Sequence, residues 1–122
     1  MKKIAYIFLL MALSLMAVGS VMGQDSQMAC LGHDGNTIAS LRLCVSHAVS
    51  DGHITNQGIA KSLFAKLDAA QAAVNRGQAA VAVNNLHSFI NEIQAQAGKH
   101  IHAEHAMHMV EHAQRVIAAL KG

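Results

Sequence analysis

The chain has 122 residues, of which the first 23 or so read as a removable leader, so about 99 remain and a multidomain enzyme is excluded. The formal charge of +2 comes from Lys2 and Lys3, because the later Lys and Arg balance the Asp and Glu; nothing builds the one-sided basic face that nucleic acid requires. Without proline or tryptophan, and with only Phe64 and Phe89 as aromatics beyond the leader, the core has to be aliphatic.

Residues 1–23 read as a signal peptide. Lys2 and Lys3 open it, an apolar stretch runs from Ile4 to Val18 broken only by Ser14, and Ala17, Gly19, Ser20 and Gly23 supply small residues for cleavage near Ser20 or Gln24. About 15 apolar residues fall short of the roughly 20 that span a bilayer, so no stable membrane span is expected after cleavage. The protein is expected to be exported, periplasmic or extracellular. Gln27, Met28 and Ala29 lack the apolar character of a lipoprotein cleavage site, so Cys30 is not expected to be lipidated. In an oxidising compartment the two cysteines most simply form one disulfide, Cys30 to Cys44, closing a loop of about 15 residues worth roughly 3 kcal/mol. The competing reading is a zinc site, since Cys30 with His33 and Cys44 with His47 form two C-x-x-H pairs.

Residues 24–36 have no hydrophobic period and are expected to form an irregular arm. From Thr37 the period becomes helical. Ile38, Leu41, Val45, Ala48 and Val49 recur at i, i+3 and i+4 with Cys44 on the flank, which predicts a helix to about Ser50, ended by Asp51-Gly52. Thr55 is then placed to cap a second helix, with Ile54 closing on Ile59, and Ile59, Leu63, Leu67, Ala70 and Val74 share its apolar face to about Asn75. Gly77 supplies the next turn. A third helix over about 78–97 buries Ala79, Ala82, Val83, Leu86, Phe89, Ile90, Ile93 and Ala97, with Gly98 as its C-terminal cap. A fourth runs from Ala103 to Leu120 with Ala106, Met109, Val110, Ala113, Ile117 and Leu120 inward, and Met107 near the core. Short connections predict an all-α domain over residues 37–122, a compact bundle of four short antiparallel helices.

Several segments carry a family likeness: Asp51-Gly52-His53-Ile54-Thr55, Gly58-Ile59 leading into Ser62-Leu63-Phe64-Ala65-Lys66-Leu67, Gly77, and Leu86-His87-Ser88-Phe89-Ile90-Asn91-Glu92-Ile93. It continues in Ala95-Gln96-Ala97-Gly98-Lys99 and in Ala113-Gln114 with Ile117 and Leu120. On these residues the stretch from Thr37 to Leu120 resembles the FIMAH-type helical module of exported bacterial proteins. The resemblance implies a noncatalytic accessory unit of the kind appended to secreted hydrolases and surface proteins. Here, with only an arm ahead of it, the module is expected to act alone. The sequence departs from the family pattern in its histidines, notably His87, His102, His105, His108 and His112.

Five of the nine histidines lie between His100 and His112. At about 100° per residue, Glu111, Glu104, Arg115, His108, His112 and His105 fall across roughly 120° of the fourth helix, away from the apolar stripe as drawn above. They are expected to share one exposed ridge. His108 and His112 have the i, i+4 spacing at which two imidazoles grip Zn²⁺, Ni²⁺ or Cu²⁺, and His105 or Glu104 would add a third ligand. The same residues spell H-x-x-E-H, but only ten residues follow His112, too few to supply a metalloprotease's distant ligand and cleft. The scattered His33, His47, His53 and His87 are expected to be solvated or locally bonded, and Asp68 and Glu92 to be solvated helix charges. No nucleophile elbow or phosphate loop is present, so no enzyme is expected. Two functions remain open: interaction with a protein or cell-surface polymer, or transition-metal binding outside the cytoplasm. The histidines offer a further reading as a pH-responsive surface, since imidazoles titrating at about 6.5 would turn it positive in mild acid and could switch adhesion to anionic surfaces. The oligomeric state is not encoded in any recognisable pattern.

Overall fold

The computed structural model describes residues 35–122. The expected signal peptide and most of the arm, including Cys30 and His33, lie outside the described residues. Four helices follow: α1 (Ile38–Ser50), α2 (Gln57–Asn75), α3 (Ala79–Gln96) and α4 (Ala103–Lys121). Each packs against its neighbour in the chain, and α1 also packs on α4, which closes the set into a ring around one core. The all-α expectation is met, with boundaries within a residue or two of those predicted.

The core is aliphatic, as the composition requires. Leu41, Val45, Leu63, Leu67, Ala70, Ala73, Leu86, Phe89, Ile93, Met109 and Val116 are completely buried, and Phe89 is the largest residue among them. Alanines at Ala60, Ala70, Ala73, Ala82 and Ala113 let the helices approach closely. Cys44 is not on the flank of α1 but fully buried. Ala79, expected inside, is exposed at the first residue of α3, where the helix has not yet reached the core. Met107, expected near the core, is 54% exposed, whereas Met109 is fully buried.

The helix ends are set by local chemistry. Thr37 and Ser40 form a reciprocal capping box at the start of α1. At its other end the His53 N–H reaches the Ala48 carbonyl at 2.8 Å and the Gly52 N–H that of Val49 at 3.2 Å, the paired bonds of a Schellman motif. Gly52 sits at φ +76°, which a side chain would strain. The cap of α2 is Asn56 rather than Thr55: its side chain accepts from the Ile59 N–H at 3.1 Å. Thr55 is occupied elsewhere, giving its N–H and hydroxyl to the His100 carbonyl at 2.9 and 3.3 Å. Gly98 does not cap α3 as expected. It follows Ala97 (φ −58°, ψ 128°) at φ +76°, and the Lys99 N–H bonds the Gln96 carbonyl at 3.0 Å, the arrangement of a type II turn with glycine at its third position.

These two turned ends bring distant segments together. The α1–α2 and α3–α4 connections run antiparallel to each other, with Ile54 bridged to Ile101, Thr55 bonded to His100, and the His102 N–H donating to the His53 carbonyl at 3.0 Å. Ile54 and Ile101 point into the core at 5% and 1% exposure, sealing that end of the bundle. Among the described residues this seam is the nearest thing to a sheet.

Candidate functional site

The expected ridge of imidazoles on α4 is divided by the fold. His112 is only 2% exposed and belongs to the interior. Its Nε2 lies 3.0 Å from Ser40 Oγ and 3.1 Å from the Gly35 carbonyl. A carbonyl only accepts, so Nε2 carries a proton, and Nδ1 is buried with no partner among the described residues. The ring therefore pins the entry to α1 against α4. Val116 was missing from the predicted stripe and is fully buried four residues after His112. Including it widens the inward face to take in His112.

The Ser40–His112 contact has the atoms of a nucleophile and a base, but not the chemistry. With Nε2 protonated the imidazole has no lone pair facing the hydroxyl, and Ser40 Oγ is engaged by the carbonyls of Thr37, at 2.8 Å, and Gly35. No described carboxylate orients Nδ1. The dyad is a structural tie.

His112 cannot join His105, His108 and Glu104 around one ion, and the metal set expected on α4 is not assembled. Among the described residues no three His, Cys, Asp or Glu side chains stand where they could hold a metal. Of the competing Cys/His set, Cys44 is buried and is not free, His47 lies in the last turn of α1, and Cys30 and His33 fall outside the described residues. The proposed Cys30–Cys44 bridge predicts that the unfolded, unreduced chain titrates no free thiol and gains two on reduction; two free thiols before reduction would exclude it.

What the fold assembles instead is a cluster that no linear spacing announces. His53 leaves α1 after the Schellman turn, His102 precedes α4, and His105 lies in the first turn of α4. The His53 and His102 rings meet edge to face with Nδ1 atoms 3.2 Å apart, which needs one ring to donate and the other to accept. The His105 ring stacks on His53, with centroids 3.6 Å apart and planes 21° from parallel. The in-plane lone pairs of stacked rings lie in separate, nearly parallel planes, so His105 and His53 do not converge on a common ion. Burial, then the neighbouring His53, lower the pKa of His105 below its ordinary 6.5; Glu104 opposes this, and His108 and His102 add to it. An imidazole whose pKa is lowered by folding stabilises the fold above the unfolded value and loses that contribution as pH falls below 6.5.

Glu92, expected to be solvated, is partly buried, whereas Asp68 is exposed as expected; both pair across helices. Glu92 on α3 accepts from Lys66 Nζ at 2.7 Å and Ser62 Oγ at 2.8 Å on α2, in a partly buried network. Asp68 pairs with Arg42 at 2.5 Å, and that guanidinium lies 4.8 Å from the centre of the Phe64 ring. A groove of about 280 Å³ opens beside the N-terminal half of α4, lined by Gln94, Ala97, Ala103, Ala106, Met107 and Val110, with Glu111 at its edge.

The model of the FIMAH domain matches residues 38–118, the whole of α1 to α3 and nearly all of α4. The chain belongs to the FIMAH-domain family. Comparison with curated proteins and with solved structures gives no significant match. The FIMAH match spans the glycine turns at Gly52 and Gly98 and the seam they position, and two of the segments that carried the likeness, 51–55 and 95–99, lie at this end of the bundle. What chain order conceals is that His53, His102 and His105 meet. A trace of them was legible: His53-Ile54-Thr55 and His100-Ile101-His102 each alternate polar, isoleucine, polar, the period of a short extended segment with one buried face.

Proposed function

We propose that this protein is an exported, noncatalytic FIMAH module that works by contact with a protein or a cell-surface polymer. The family match over residues 38–118 supports the reading, together with the accessory role that the family resemblance implies. The groove beside Met107 offers apolar surface for such contact. Among the described residues no helix is long and apolar enough to cross a membrane. Export itself rests on the charged, apolar and small-residue pattern of the leader.

The test is cosedimentation of the purified chain with isolated cell envelopes, before and after protease or wall-lytic treatment, with a chelator arm in parallel. The expected result is retention on envelopes that one of the two treatments abolishes, with helix signal and melting temperature unchanged by chelator. A chain that stays in the supernatant, or a melting temperature that drops by more than about 5 °C when chelator is added, roughly 1 kcal/mol for a domain of this size, overturns the proposal.

A further inference from the structure

We propose that the seam between the α1–α2 and α3–α4 connections is an acid-released latch, held shut by the contact of His53, His102 and His105 and opened when these rings become charged. The inference concerns the fold's response to pH and does not depend on which partner the module contacts.

The geometry sets the condition. Two Nδ1 atoms at 3.2 Å share one hydrogen, so the His53–His102 contact tolerates a single proton between the rings beyond the neutral state and not two: with both rings protonated, both nitrogens are donors and no lone pair remains. The face-to-face stack of His105 on His53 at 3.6 Å brings like charges together in the same way. The groups acting on His105 are His53 from the α1–α2 connection, His102 from the α3–α4 connection, and Glu104 and His108 from α4 itself. The other titratable side chains on these connections, Asp51, Lys99 and His100, are exposed. Glu104 is the one carboxylate in direct electrostatic reach of His105, against three other imidazoles, so acidification makes this corner net positive.

The same rings sit where their repulsion acts on the seam. His53 gives its backbone carbonyl to the His102 N–H, and the adjacent Thr55 N–H bonds the His100 carbonyl. Charging the rings removes their hydrogen bond and places like charges beside these two backbone bonds, which cover Ile54 and Ile101; the latch opens there. The opening is local: the turns separate while the ring of helices persists.

Amide exchange of the purified chain, followed by NMR and corrected for the intrinsic pH dependence of exchange, tests this directly. Between about pH 7.5 and about pH 5.5, on either side of the ordinary imidazole pKa, protection of the Thr55 and His102 amides is expected to fall about tenfold or more, while Leu67 and Leu86 amides keep theirs. In a His53→Phe/His105→Phe variant, which keeps two flat rings and removes their charge, the fall is expected to be less than about twofold. Equal protection at both pH values, or a wild-type fall in the variant, overturns the latch. Should the variant not fold, imidazole titration in the wild-type chain decides: the seam amide shifts must follow the titration of His53, His102 and His105, and midpoints that follow His100 or His108 instead overturn it.

Discussion

His112→Ala is expected to destabilise the domain by about 2 to 4 kcal/mol, lowering the melting temperature by about 10 °C or more. The imidazole is 2% exposed and its removal leaves a cavity between α1 and α4. It also removes the N–H donor that serves Ser40 Oγ and the Gly35 carbonyl at the start of α1. Two partly buried acceptors each lose one of their donors, which adds to the lost packing. The control is His108→Ala, one turn earlier on α4, where the ring is half-exposed. Its effect is expected to stay within about 0.5 kcal/mol. Thermal melts of the two variants check the assignment, and equal small shifts would place His112 on the surface ridge that the sequence alone suggests.

Ile101→Ala is expected to cost about 2 to 4 kcal/mol, a core-sized effect at a residue that lies in a turn. Turn residues are ordinarily tolerant because they face water. Ile101 is 1% exposed because the type II turn at Gly98 folds the connection back, and because pairing with Ile54 fixes which side of the extended segment faces inward. Deleting three carbons there opens the end of the bundle beneath the histidine seam. Urea unfolding is the measurement: the midpoint should fall with little change in slope, whereas Lys99→Ala, at an exposed neighbour, should leave the midpoint nearly unchanged. A loss below about 0.5 kcal/mol would show that the seam is a surface decoration.

The two variants also mark where reading along the chain succeeds and where it stops. A single helix has a fixed angular period, so Leu41, Leu63, Leu86, Phe89 and Met109 identify themselves as interior from spacing alone, and Gly52 and Gly77 punctuate the helices without reference to anything distant. The likeness to the FIMAH domain was readable for the same reason, since it rests on capping, glycine and core positions. Residues at the edge of a stripe are different. Whether an edge position faces water depends on how far the neighbouring helix wraps around it, and α1 with its capped start wraps far enough to enclose His112 while leaving Met107 outside. Polar character misled here, because an imidazole with a donor to give can be buried when a carbonyl and a hydroxyl wait for it.

Local sequence thus determined the helices, the centres of their apolar faces and the family, because each of these is decided within about one to five turns of chain by backbone sterics and periodic burial. Tertiary structure alone decided which histidines meet. His53 and His102 are 49 positions apart, and only the antiparallel pairing of two connections, anchored by Ile54 and Ile101 in the core, sets their ring nitrogens within hydrogen-bonding distance. Spacing on one helix could group His105 with His108 and His112, but contact between rings is a property of the elements that cross, and the crossing sends His112 into the core and turns His105 toward His53.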